Sequence, residues 1–158
     1  MQFLIRKASS NDALFVKACV VSAFNQYIEQ IGKQPGPMLL DFAAEIESNH
    51  VWLAEADHAV IGVLVQYETD LGFYIDTVAV SPHLQGTGVG RALLQLAEQE
   101  AVRRGYSSIY LCTNAKMVEN QTFYPRIGYV VYERKVDGGY DRVFYRKQLP
   151  TGSSDNAA

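Results

Sequence analysis

Between Ile75 and Leu94 an apolar run gives way to Gln85-Gly86-Thr87-Gly88-Val89-Gly90, and then to a helical pattern. A strand that turns through glycines into a helix leaves several backbone N–H groups unpaired. It points them at one spot, beside the positive end of the helix dipole. Gly86, Gly88 and Gly90 keep Cβ atoms out of the way of a bulky anion there. That is the chemistry of a phosphate or diphosphate site. The other reading is an ordinary glycine-rich turn that starts a helix. Two familiar phosphate patterns do not fit. A P-loop needs Lys-Ser/Thr after its last glycine, where this chain has Arg91-Ala92, and glycines at 86, 88 and 90 miss the G-x-G-x-x-G spacing. Both mismatches speak against a nucleotide-binding regulator.

Other reactive groups are scattered. His50, His58 and His83 stand apart, and Cys19 and Cys112 lie far from each other in apolar sequence. Two buried free thiols are expected, with no disulfide and no metal-ligand spacing. The chain has 158 residues, 48% hydrophobic and 20% charged, with 10 Tyr and 1 Trp. This is the composition of one globular domain. The formal charge of −3 and the lack of a Lys/Arg-rich run argue against a nucleic-acid partner. No apolar run is long enough to span a membrane and no signal peptide is evident, so the cytoplasm is the expected location.

The elements that must position the glycine turn follow from periodicity. Phe3 to Arg6 reads as a strand. Ser9, Ser10 and Asp12 suit the start of a helix whose apolar stripe is Leu14, Ala18, Val21 and Phe24/Ile28. Breakers from Gly32 to Pro37 end it, and a second helix is predicted over Leu39 to Glu47. A strand from Val51 to Glu55, a turn at 56–58 and a strand from Ala59 to Tyr67 form a hairpin. Phe73 to Val80 is the next strand, stopped by Pro82. Val89, Leu93, Leu96 and Ala97 are the buried stripe of the helix after the glycine turn. Ser108 to Cys112 is a strand and Asn120 to Arg126 a short helix. Tyr129 to Arg134 and Tyr140 to Lys147 form a hairpin through Asp137-Gly138-Gly139. The fold class is α/β: a mixed sheet with helices on both faces, in the order β-α-α-β-β-β-α-β-α-β-β. Residues 1–149 make one domain, and residues 150–158 are a small polar tail expected to be disordered.

Gln85-x-x-Gly88-x-Gly90, with Val78-Ala79-Val80 before it and Arg91-Ala92-Leu93-Leu94 after it, resembles the signature of the GCN5-related N-acetyltransferases. A second segment, Asn120-Gln121-Thr122-Phe123-Tyr124-Pro125-Arg126-Ile127-Gly128-Tyr129, is similar to that family's Asn…Tyr…Gly stretch. The resemblance covers the chain except its tail and looks like a bacterial branch. It implies acetyl-CoA as cofactor. Val78, Ala79 and Val80 would meet pantetheine. Gln85, Gly86, Thr87, Gly88, Val89, Gly90 and Arg91 would meet the diphosphate. Asn114, Asn120 and Tyr124 would make further contacts.

Acyl transfer to an amine needs a deprotonated amine, a fixed donor for the oxyanion and a proton for the leaving thiolate. The resemblance places Tyr124 near the sulfur, and a phenol holds its proton at neutral pH. The other reading of Tyr124 is a core tyrosine bonded to backbone. The backbone N–H of Val80 or a neighbour suits the oxyanion. Relatives often carry Glu on the strand before the turn, and Tyr74 stands near that position here. Asp76 is the nearest carboxylate. Alternating with Val78 and Val80, it faces either the cleft or solvent at the sheet edge. A water-mediated base is equally open. Tyr27, Glu29, Met38 and Glu68 are candidate acceptor contacts. The expected activity is acetyl transfer to a primary amine of a small molecule or peptide. The alternative is a non-catalytic acyl-CoA-binding module on the same fold. No metal, nucleic-acid or membrane partner is expected, and a homodimer is compatible.

Overall fold

The computed structural model describes residues 1–150. The tail expected beyond residue 150 lies outside the described residues. The chain parts into two compact units, Met1–Tyr67 with Asp76–Leu96, and Glu68–Ile75 with the residues from Ala97 on. The element order is β1 (Leu4–Lys7), α1 (Ala13–Phe24), α2 (Ile28–Ile31), α3 (Phe42–Glu47), β2 (Val51–Ala56), β3 (Ala59–Thr69), β4 (Gly72–Val80), α4 (Val89–Arg103), β5 (Ser108–Asn114), α5 (Asn120–Arg126), β6 (Val130–Asp137) and β7 (Tyr140–Gln148).

In the first unit β1, β2 and β3 form an antiparallel run, Leu4 opposite Glu55 and Trp52 opposite Leu64. Asp57 and His58 turn the β2–β3 hairpin with φ of 51° and 65°. Gly62 faces the first turn of α4: a Cβ there would stand 2.9 Å from Val89 Cγ1 and 3.1 Å from Leu93 Cδ1. Five residues on, Tyr67 points from the opposite face of β3. There its ring packs on that of His50, tilted by 35° with centroids 4.8 Å apart, and His50 Nδ1 is 2.8 Å from Glu45 Oε1 on α3.

Two local expectations are corrected in this unit. The buried face of α1 is Val16, Cys19, Val20, Ala23 and Phe24, while Leu14 is 82% exposed. A helix apolar on nearly every side has no directional stripe, so the spacing of Leu14, Ala18 and Val21 carried no information. The second helix starts at Phe42 rather than Leu39. Gly36–Leu39 forms a separate single turn, Leu40 is extended, and the Asp41 side chain accepts the Ala44 N–H at 3.1 Å. An acceptor at that position satisfies an orphan amide and so marks the helix start. Ile28–Ile31 adds a helical turn, α2, beyond the expected order.

In the second unit the start of β4 pairs parallel with β5, Phe73 opposite Ile109 and Ile75 opposite Leu111. β5 and β7 are antiparallel, as are β7 and β6. Tyr129 and Tyr145 are the largest fully buried side chains. Burying a ring of this size removes roughly 150–250 Å² from water, worth several kcal/mol at about 25 cal/mol per Å². α4 buries Val89, Leu93, Leu94, Ala97 and Ala101; Leu96, expected in that stripe, is half-buried. Cys112, expected to be buried, is also only half-buried. Every residue of β6 is exposed. Among the described residues no helix is long and apolar enough to cross a membrane.

Candidate active site

The glycine turn lies in the first unit. Pro82–Leu84 makes one tight turn after β4, and the Gln85 side chain donates back to the Val80 carbonyl at 3.3 Å. Gly86 and Gly88 have φ of +83° and +99°, a region costly for any residue with a Cβ, and nothing lies within 4 Å of where that Cβ would be. Gly90 differs: it is inside α4, and its Cβ would make ordinary contact with Val80 at 3.5 Å. The Thr87 hydroxyl donates to the Leu84 carbonyl at 2.5 Å and shapes the turn. The first helical amide taken up is that of Ala92, by Gly88. Among the described residues the amides of Gly86, Thr87, Gly88, Val89, Gly90 and Arg91 have no partner. Open space in front of free amides at a helix start fits a diphosphate.

Along β4 burial alternates. Tyr74, Asp76, Val78 and Val80 are half-exposed, and Phe73, Ile75, Thr77 and Ala79 are buried. Asp76 therefore shares the open face with the two valines. Its carboxylate is held at both oxygens: Tyr67 donates to Oδ2 at 2.5 Å and Thr77 to Oδ1 at 2.8 Å. Tyr67 was not among the expected residues. Its alternation with Val63 and Val65 put it on a known face, but its pairing with Asp76 depends on strand register.

In the second unit Tyr124 sits on α5, half-buried, its ring 5.6 Å from those of Tyr129 and Tyr145. Among the described residues no group hydrogen-bonds its hydroxyl, so a backbone-tied core tyrosine is not what is observed. Burial, with smaller contributions from Tyr145 and Cys112, pushes its phenol well above the ordinary value. Tyr129 contrasts with it. That hydroxyl is committed to Glu98 at 2.8 Å, and Glu98 also takes Lys147 at 3.0 Å. The Tyr145 hydroxyl is buried and unpartnered among the described residues. Asn120 opens α5, and Asn114 ends β5 with its side-chain oxygen accepting the Lys116 N–H at 2.9 Å.

On the β5 face opposite Leu111, Cys112 Sγ lies 3.4 Å from the Tyr74 hydroxyl and 3.4 Å from Arg142 Nη1. Sequence reasoning missed this cluster, since its members are 30 and 38 residues apart. The expected acceptor contacts divide. Tyr27 is half-buried and Glu29 exposed. Met38 is 4% exposed and its carbonyl is held by Lys17 at 2.7 Å, leaving little side chain to offer. Glu68 follows Tyr67 along β3 and so points to the other face, where it lies 3.7 Å from Arg104.

Residues 47–131 match the model of the acetyltransferase (GNAT) domain. No match was found among curated proteins. Solved structures of similar fold include a PaiA N-acetyltransferase from Thermoplasma acidophilum in complex with coenzyme A, 19% identical over 94% of this chain and 100% of that one, with a TM-score of 0.78. A GCN5-related N-acetyltransferase from Rhodopseudomonas palustris is 21% identical over 94% and 97%, with a TM-score of 0.79. An acetyltransferase of the GNAT family from Staphylococcus aureus is 19% identical over 94% and 100%, with a TM-score of 0.78.

Proposed function

The chain belongs to the GNAT acetyltransferase family, and from that premise we propose that it acetylates a primary amine of a small molecule or peptide by direct attack on acetyl-CoA. Family membership makes it an acyl-CoA-dependent N-acyltransferase with acetyl-CoA as cosubstrate. The observation that carries the site assignment is the row of unpartnered amides from Gly86 to Arg91 at the start of α4. These amides hold the diphosphate, Gln85 braces the turn, and Val78, Ala79 and Val80 run beside the pantetheine arm. Asn114 and Asn120 add contacts from β5 and α5.

Asp76 takes the proton from the acceptor ammonium, directly or through water. The neutral nitrogen then adds to the thioester carbonyl, and the backbone N–H of Val80 or a neighbour stabilises the oxyanion. As the C–S bond breaks and the amide forms, Tyr124 gives its proton to the sulfur, and the proton that the attacking nitrogen sheds returns through water to restore the phenol. What supports that role is a hydroxyl that is protonated at neutral pH and is hydrogen-bonded to no other group among the described residues. Tyr27, Glu29, Met38 and Glu68 stand as candidate acceptor contacts, with Glu29 the most exposed and Met38 the most enclosed.

We place the protein in a bacterial cytoplasm as one acetyltransferase domain, residues 1–149, acting as a homodimer. Two unpaired cysteines suit a reducing compartment. The fully exposed edge strand β6, with Val130 67% and Val136 73% exposed, supports self-association. Calorimetry with acetyl-CoA and thiol release with an amine panel test the function together. Binding and turnover support it. Binding without turnover favours a sensing module, and no heat of binding removes both readings.

A further inference from the structure

Resting on that reading, we infer that Arg142 anchors a carboxylate of the acceptor, so that the amine acetylated belongs to an amino acid or a similarly built amino carboxylate. Arg142 lies on β7 with its side chain 26% exposed. Nε donates to the Asp137 carbonyl at 3.1 Å and Nη1 to Cys112 Sγ at 3.4 Å. Nη2 has no partner among the described residues. The one ion pair of Arg142 among them runs from Nε to Asp137 Oδ2 at 4.0 Å, on a side chain 58% exposed, a contact worth little. The guanidinium is thus fixed in place with Nη2 open, and Nη2 together with the second hydrogen of Nη1 can meet a carboxylate in two-point geometry.

The strand across the hairpin sharpens the point. Lys135 stands directly opposite Arg142 in the β6–β7 ladder. Like charges at opposed positions repel. The Lys135 ammonium lies over the Phe144 ring at 5.0 Å and pairs with Glu133 at 3.7 Å. An anion seated on Arg142 relieves the repulsion. The Tyr140 ring, 5.2 Å from the guanidinium carbon, limits how far the side chain swings.

The same atoms tie this anchor to the chemistry. The Cys112 sulfur that receives Arg142 also contacts the Tyr74 hydroxyl. Cys112 is also among the groups whose proximity raises the Tyr124 phenol. A carboxylate held at Arg142 fixes one end of the acceptor beside the proposed acid, which leaves the nitrogen as the end to be acetylated.

The test compares acceptors that differ only in the acid: L-phenylalanine against phenethylamine, L-methionine against methylthiopropylamine, and L-lysine against cadaverine. Each kcat/KM is measured at saturating acetyl-CoA on the full chain. The wild type is expected to favour the acid in at least one pair by about tenfold or more, the worth of one charge-assisted contact. In Arg142→Gln that ratio collapses toward one, mainly through KM, and Arg142→Lys recovers part of it. Because each ratio is internal to one variant, a general loss of folded protein leaves it unmoved. The inference is overturned if the wild type accepts the decarboxylated partners equally well or better. It is also overturned if no acid in the panel is acetylated while acetyl-CoA binds, or if the ratio survives in Arg142→Gln. Failure of acetyl-CoA to bind by calorimetry instead removes the acetyltransfer reading itself.

Discussion

The hydroxyl of Tyr67 donates to Oδ2 of Asp76 at 2.5 Å, while Thr77 occupies Oδ1. The two donors stop the carboxylate from rotating and leave each oxygen one lone pair for an incoming proton. Tyr67 is itself steadied by the tilted His50 ring packed against it at 4.8 Å. A carboxylate held this way would need little reorganisation to serve as the proposed base.

Asp76→Asn is expected to lower kcat by about 10²-fold, the usual worth of a positioned base, and to change the shape of the pH–rate profile. Acetyl-CoA affinity should stay within about twofold, because the diphosphate site does not include Asp76. Steady-state rates across pH, with calorimetry alongside, check this. An unmoved profile assigns the deprotonation to water.

Tyr67→Phe keeps the ring stack and removes one hydrogen bond to a charged acceptor. We expect a loss of about 1–2 kcal/mol in stability and a smaller drop in kcat than for Asp76→Asn. Denaturant melts and initial rates measure the two separately.

Tyr124→Phe should reduce kcat by about 10–10³-fold with little change in KM for acetyl-CoA. The raised phenol also sets a stability trend. Above the ordinary tyrosine value of about 10 the unfolded chain releases the proton and the folded chain retains it, so stability falls as pH climbs past that point. Tyr129, raised by burial and by Glu98, adds to the same slope. Thermal melts of the wild type and Tyr124→Phe between pH 8 and 11 should show the variant losing less.

Asp12 gives the opposite trend. Its carboxylate, 12% exposed, accepts from Arg6 at 2.8 Å and from the Ser9 N–H at 2.7 Å, and Arg6 chiefly pulls it down to about 2. The stabilisation, on the order of 2 kcal/mol, is complete above about pH 4 and lost as pH falls through 2. Asp12→Asn should lose about that amount at neutral pH and show a shallower acid transition.

Gly88→Ala meets no clash, since nothing lies within 4 Å, but φ of +99° strains any residue with a Cβ. We expect about 1 kcal/mol of lost stability and acetyl-CoA affinity weaker by about tenfold, as the turn relaxes out of shape. Calorimetry reads the affinity directly.

What could be read from the chain was what local geometry demands. The Gly86–Gly90 turn is visible because few residues tolerate those angles, and Asn120–Arg126 was bounded correctly by its flanking residues. The inward face of α1 was not visible, because helix chemistry alone does not choose among apolar sides. The α3 start needed the observation that Asp41, not a residue before Leu39, accepts an amide. Tyr67 with Asp76, and Cys112 with Tyr74 and Arg142, depend on which strands adjoin and in what register. No local pattern encodes that information.

Gly62 has a wider consequence. Its bare α-carbon lets Val89 and Leu93 settle directly on β3, so the height of the α4 start above the sheet is set from beneath the helix. Any larger residue there would lift the cradle, leaving every contacting group intact but displaced. If the turn above it holds the diphosphate as proposed, directed evolution confined to the pocket lining would overlook a position expected to tune donor affinity from beneath.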